Sequence, residues 1–408
     1  MTHTAPPGVM ALQPRIQHYA WGDDSFIPGL LGRPVTGEPW AEAWFGAHAS
    51  APSSILHEEA EIPLDALLAE QGLELLGRDV HARYGGLPFL VKLLAAARPL
   101  SIQVHPDALQ AQLGYARENA DGVPLDARER NYRDGSHKPE LIVALTEFDA
   151  LCGFRPPQEL TDALLQLPEL RALLPELVAT PAGLEQFFEA YFALPSATLE
   201  PALVRLLARL ESEQPAAGTP GAWALAAQHA LGASARPDRG LLFVFLLALV
   251  RLAPGQGMFL HAGVPHAYLQ GCGIEVMASS DNVLRAGLTP KHVDAGELMR
   301  VVRFDAGPPT LLMPPLDATR TFVRYPTRAS EFELGCVALA NDRRLERVAH
   351  GPEILLFLGE GGADATATVR HADGQLALGG GDACFVAHGT RYAISGSGGS
   401  AYVCSVPG

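Results

Sequence analysis

One spacing occurs twice in this chain and limits what it can fold into. In PGQGMFLHAGVPHAY, residues 254–268, Gly255 is followed after five residues by His261, Ala262 and Gly263, and after two more by His266. In GGDACFVAHGTRY, residues 380–392, the same positions hold Gly381, Ala387, His388, Gly389 and Tyr392. Short apolar runs punctuated by glycine at this spacing form a strand, a tight turn and a second strand. The residue that closes the frame is then aimed into the space the strands enclose. Two such frames call for two related β modules. The first closes on an imidazole, which can ligate a metal, and the second on a phenol, which leaves it blank.

The frame is similar to the second motif of the small β-barrels called cupins. The expected architecture is therefore mainly β with a helical insert (α+β): two cupin-like β-barrel (jelly-roll) modules plus a helical domain. Residues 1–60 and those from about 240 onward alternate short apolar runs with Gly and Pro, as strands and loops do. Residues 63–82 and 108–119 have helical period, whereas 87–93, 100–104 and 140–145 read as strands and 121–137 as a loop. Between 157 and 235, stretches such as LEQFFEAYFAL and LVRLLARLESE place apolar residues at helical spacing. The expected division is residues 1–155 with 236–320 as a metal-binding module, 156–235 as a helical insert, and 321–408 as a C-terminal module without metal.

Charge narrows the function. The formal net charge of -15 excludes nucleic-acid binding through bulk electrostatics, which needs a basic stripe. An anionic substrate must instead meet a local group of cations. The N-terminal residues lack a signal-peptide pattern, and the most apolar run, 241–250, is too short and interrupted to span a bilayer. Five scattered cysteines read as reduced thiols. A cytoplasmic enzyme acting as a monomer, with no membrane partner, is expected. Of the 30 Lys and Arg residues only Lys92, Lys138 and Lys291 are lysine. Lysine is a compact ammonium able to lose its proton, which arginine is not. The three are expected to line one pocket and to meet an anionic substrate there.

The chemistry gathers around the same segments. In SIQVHPD, Gln103 and His105 are two apart and face one side of a strand. In HKPEL, Glu140 stands where a strand begins, and His266 closes the first frame. Together Gln103, His105, Glu140 and His266 supply an amide oxygen, two imidazoles and a carboxylate, a set that suits zinc and leaves a bound ion residually positive.

The segments PFLVKLLAAARPLSIQVHPD, NYRDGSHKPELIVALTEFDALCGFRP and FLHAGVPHAYLQGCGIEVMASSDNVLRAGLTPKHVD, with YAWG and WAEAWFGAHASAPS, closely resemble type I phosphomannose isomerases. The resemblance is strong over 1–155 and 250–305 and weak elsewhere. It implies one zinc ion per chain on the four donors above, and interconversion of mannose 6-phosphate and fructose 6-phosphate through an enediol. It also implies an active-site role for Arg285, acid or base roles for Glu275 and Lys138, and places for Ser101, Lys92, Lys291 and Tyr268 in the sugar-phosphate pocket. The C1/C2 base is left open between Glu275 and Lys138. His137 is a candidate for ring opening on position alone. A non-catalytic sugar-phosphate-binding cupin and a metal-dependent cupin dioxygenase are the alternative readings.

Overall fold

A computed structural model describes residues 8–57, 60–232, 234–305, 307–313, 322–339, 344–360, 365–396 and 398–408. The chain is mostly sheet, with helices concentrated between 157 and 246. The described strands form an eleven-stranded, an eight-stranded and a four-stranded sheet, and their pairing closes no barrel. The module boundary expected between 320 and 321 lies outside the described residues.

The spine of the eleven-stranded sheet is the strand His266–Ala278. Its C-terminal part lies between Phe89–Ala96 and Glu140–Ala144, with Glu275 opposite both Lys92 and Ile142. Its N-terminal part turns to other partners, with His266 opposite Cys152 of Phe148–Phe154 and opposite Gln103 of Ile102–Val104. The change of partners occurs near Gly271, whose φ is +125°. A Cβ there would stand 2.6 Å from the Glu147 carbonyl oxygen and 2.8 Å from Phe148 Cα. The strand Phe89–Ala96 is buried along its whole length, which explains why it reads FLVKLLAA with a single charge, Lys92.

The helical segment packs against strands of the eleven-stranded sheet in one core, in which Phe154, Phe188, Leu203, Phe243 and Leu298 meet. It extends further than the sequence implies. Leu241–Leu246 is a short helix that leads into the strand Leu247–Leu252, although the run reads as β. Six consecutive apolar residues carry no periodicity to separate the two. The helix expected over 63–82 is two, Leu64–Leu76 and Arg78–Tyr84, parted at Gly77. The helix Ala108–Ala120 starts on an Asp107–Gln110 capping box. No helix among the described residues is long and apolar enough to cross a membrane.

Sheet membership in the first 63 residues does not follow the module expected for 1–155. Arg15–Gln17 and Glu42–Phe45 join the eleven-stranded sheet, whereas Val9–Gln13, Ser54–His57 and Ala60–Pro63 join the eight-stranded sheet with the C-terminal strands. Val9–Gln13 pairs with Ala383–Val386, Val9 opposite Val386. A two-residue alternation fixes which face is buried, and it is silent on which strand lies alongside.

The Gly271→Ala protein should unfold at lower denaturant than the parent. The loss is expected to be about 2 kcal/mol, from a positive φ combined with backbone overpacking; an unchanged midpoint would show that the spine accommodates a side chain at its change of partners.

Candidate metal centre and cleft

Separate strand ends bring the donor atoms together. His266 opens the long strand opposite Gln103, Glu140 opens Glu140–Ala144 opposite Met277, and His105 follows Ile102–Val104. One ligand atom from each of His105, Glu140 and His266 lies within 4.8 Å of the others, and all three residues are buried. Glu140 Oε2 is 3.2 Å from His105 Nε2 and 3.5 Å from His266 Nε2.

The imidazoles are oriented by backbone. His105 Nδ1 is 2.9 Å from the Asn282 carbonyl oxygen, and His266 Nδ1 is 2.9 Å from that of Val264. A carbonyl only accepts, so each Nδ1 carries the proton and each Nε2 presents a lone pair to the same point. Burial pushes the His105 imidazole towards its neutral form, against the pull of Glu140. Its Nε2 is buried without a hydrogen-bond partner. A lone pair facing a carboxylate oxygen is repulsive until a cation lies between them, so these residues fit a divalent metal with nitrogen and oxygen donors. Gln103 lines the inner chamber with Glu140 and His266.

Burial alone would raise the Glu140 pKa. The charge of Lys138, whose Nζ is 3.1 Å from the second oxygen, Oε1, opposes it and holds the group below the usual carboxylate range. Beside this pair stands another buried group. Lys92 Nζ is 2.9 Å from Glu275 Oε2 and 3.5 Å from Glu42 Oε1, and lies 5.0 Å from the centre of the Trp44 ring. The Tyr268 hydroxyl donates to Glu275 Oε1 at 2.8 Å, and Trp44 Nε1 donates to Glu42 Oε2 at 2.8 Å. Desolvation would neutralise Lys92, but Glu275 and Glu42 outweigh it and keep the ammonium charged. Burial, reinforced by Glu275, keeps Tyr268 a neutral phenol.

The inner chamber, of about 80 Å³, shares Glu42, Lys92, Leu100, Gln103 and Lys138 with an outer cleft of about 480 Å³. Ser101, Arg98, Arg285 and Lys291 line the outer cleft, so all three lysines of the chain face it. Burial and neighbouring arginines lower the proton affinity of Arg285, beside Arg133, and of Lys291, beside Arg285 and Arg133. The outer wall is thus a crowd of cations in an acidic chain.

His137 lies apart from this group. Its Nε2 is 2.9 Å from Glu331 Oε1, and it lines a different cleft with Tyr84 and Ser330. Next to Lys138 in extended backbone, it faces the other way. Glu42 and Trp44, in contrast, belong to the cleft and were not singled out from the sequence. Their signal is the i, i+2 pairing of an acid and a hydrogen-bonding aromatic in a strand that is otherwise apolar.

Residues 9–157 match the model of the phosphomannose isomerase type I catalytic domain. The mannose-6-phosphate isomerase of Escherichia coli K12 is 37% identical over 376 residues, 91% of this chain and 93% of that one. The chain belongs to the type I phosphomannose isomerase family. Two crystal structures of the phosphomannose isomerase from Salmonella typhimurium superpose over nearly the whole chain. One, of a variant, has a TM-score of 0.87 and 34% identity and covers 98% of this chain and 100% of that one. The other, bound to its substrate F6P and a zinc atom, has a TM-score of 0.84 and 35% identity and covers 97% and 99%. The family match covers Lys92, Gln103, His105, Lys138 and Glu140.

The His137–Glu331 pair gives this protein a pH signature. Glu331 raises the His137 pKa above 6.5, and His137 holds Glu331 below 4.5 against its own burial. The histidine arm contributes stability fully below 6.5 and loses it as pH rises through the folded pKa; the glutamate arm contributes above 4.5 and loses it as pH falls. The gap in thermal midpoint between the parent and Glu331→Gln should therefore be widest between pH 4.5 and 6.5 and should close on the alkaline side. A pH-independent gap would refute the pairing.

Proposed function

We propose that the chain interconverts mannose 6-phosphate and fructose 6-phosphate using one zinc ion. The observation that carries this reading is the buried convergence of His105, Glu140 and His266 beneath a cleft whose outer wall is cationic. Family membership supports it, as do the F6P and zinc held by the Salmonella relative. Gln103 is the fourth donor, and the two frames belong to two cupin-like modules. The five free cysteines are all buried, as suits a cytoplasmic protein, and no second chain is needed to complete the cleft.

Zinc held by Gln103, His105, Glu140 and His266 would supply a Lewis acid for the reacting oxygens. The remaining work falls to side chains. Arg98 and Lys291 receive the phosphate at the outer wall, and Ser101 lines the path inward. Isomerisation moves one proton between adjacent carbons, so one base must reach both. Both oxygens of Glu275 are already engaged, by Lys92 and Tyr268. Lys138 has one acidic contact and faces both the chamber and the cleft, so we assign it the proton transfer. Arg285 stabilises the developing oxyanion. Lys92, held between two carboxylates, fixes Glu275 and Glu42 and leaves the phosphate to the outer cations.

Two histidines with one carboxylate would also suit ferrous iron. The cationic wall and the family favour sugar-phosphate isomerisation.

In a coupled assay the protein should turn over mannose 6-phosphate, lose activity to a chelator and regain it with zinc. Metal analysis should find one ion per chain, and none in His266→Ala, whose activity should fall about a hundredfold or more. A metal-free H266A with full turnover would sink the assignment, and a second stoichiometric metal surviving in H266A would overturn the blank C-terminal module. Among the lysines, Lys138→Arg should lower kcat by about 100-fold, whereas Lys291→Arg should mainly raise KM. Parental constants in both variants would refute the roles assigned here.

A further inference from the structure

Four consecutive residues of the outer cleft, Leu288, Thr289, Pro290 and Lys291, form a turn that begins in an unfavourable conformation. Leu288 has φ +55°. The other non-glycine residue with positive φ among the described residues, Gln214, is an exposed helix C-cap, where the left-handed region is ordinary. Leu288 is a buried, branched residue with no such excuse. A backbone of this kind persists only where its surroundings fix it, and such positions cluster at functional sites.

The fixing group is one carboxylate. Asp238 Oδ1 accepts from the Leu288 amide at 2.7 Å and the Gly240 amide at 2.6 Å, and Oδ2 accepts from the Thr289 amide at 3.3 Å. The approach is so close that a Cβ on Gly287 would lie 2.4 Å from Gly240 Cα, and one on Gly240 would lie 2.6 Å from the Leu288 nitrogen. Asp238 is in turn held by the helical segment. Gln228, on the helix Pro220–Ala230, accepts from the Asp238 amide at 3.1 Å and donates to the carbonyls of Ala235 and Arg236, each at 3.3 Å. Arg239 donates to the carbonyls of Tyr191 and Phe192 at 3.2 Å and of Leu194 at 2.6 Å. These lie at the end of the helix Pro181–Ala193, where carbonyls lack helical partners and the dipole favours a cation.

We infer that Asp238 is a positioning residue for substrate binding: carried by the helical segment, it clamps the Leu288–Lys291 turn so that Lys291 stands beside Arg285 at the outer wall. The inference rests on the isomerase reading above. Without the carboxylate, Leu288 relaxes out of the left-handed region and takes Thr289, Pro290 and Lys291 with it. The His105, Glu140 and His266 group makes no contact with the clamp and keeps its metal.

The test compares the parent, D238A, D238N and D238A/L288G as zinc-loaded full-length proteins. Asp238→Ala should raise KM for mannose 6-phosphate and the competitive inhibition constant of inorganic phosphate together, by about tenfold. Its kcat should stay within about threefold and its zinc content at the parental value. Glycine at 288 tolerates positive φ, so D238A/L288G should recover most of the lost affinity; a double variant as weak as D238A overturns the claim that the Leu288 backbone is what Asp238 holds. Should D238A fail to fold, Asp238→Asn carries the test, since its amide turns a donor towards one of the backbone amides and weakens both constants. A lowered thermal midpoint with parental KM and inhibition constant overturns the proposal and leaves Asp238 a purely structural role. If the parent shows no isomerase activity, the functional reading fails by itself. The clamp is then judged by direct titration with inorganic phosphate, for which equal Kd in the parent and D238A overturns it.

Discussion

A carboxylate taken out of water costs several kcal/mol unless charge and hydrogen bonds replace its hydration. Glu140 is 4% exposed and remains ionised, so its surroundings have to supply that replacement. The two imidazoles beside it contribute little fixed charge, because their Nδ1 protons are committed to backbone carbonyls and their lone pairs face inward. Lys138 is the cation beside it, on one oxygen only. The other oxygen and two lone pairs point at a common place and are satisfied together by a cation. This one unmet requirement sets the arrangement of the strand ends that meet there.

The next layer repeats the logic with the compensation complete. Glu42 and Glu275 share Lys92, and Trp44 and Tyr268 take up the remaining lone pairs. The second Gly-punctuated frame shows the same closure. Tyr392 donates to Glu353 at 2.6 Å, and Arg347 is 2.7 Å from the same carboxylate. Where the first frame leaves a carboxylate with an open valence, the second fills it with a guanidinium that never deprotonates. These interior acids are thus paired, while Arg285 and Lys291 at the mouth of the cleft stand against other cations.

The convergence of His105, Glu140 and His266 was legible because its signals are local. A histidine on a strand face, a glutamate at a strand start and a histidine closing a glycine frame each survive without knowledge of neighbours. The scarcity of lysine was legible for the same reason. What sequence could not carry was register. Lys92 reads as a cation available to phosphate until Trp44 and Glu275 are seen beside it across the sheet. His137 reads as part of the site until the alternation of extended backbone turns it towards Glu331. The helix at Leu241–Leu246 and the split among the first strands fail similarly, since apolar runs do not name their partners. Asp238 gave no signal at all, being one acid in a loop until its carboxylate is seen on two amides fifty residues downstream.

The pairing of Val9–Gln13 with Ala383–Val386 has a consequence for how the protein is made. Val9–Gln13 sits between a local partner, Ser54–His57, and a strand synthesised far later, Ala383–Val386. At about 5–20 residues per second, roughly 20–75 s separate the two. Throughout that interval the apolar side chains of Met10 and Leu12 and one full backbone edge wait for a partner that does not yet exist, the condition under which strands pair wrongly. At this strand synthesis runs ahead of pairing, and the edge it leaves open is closed only from far downstream.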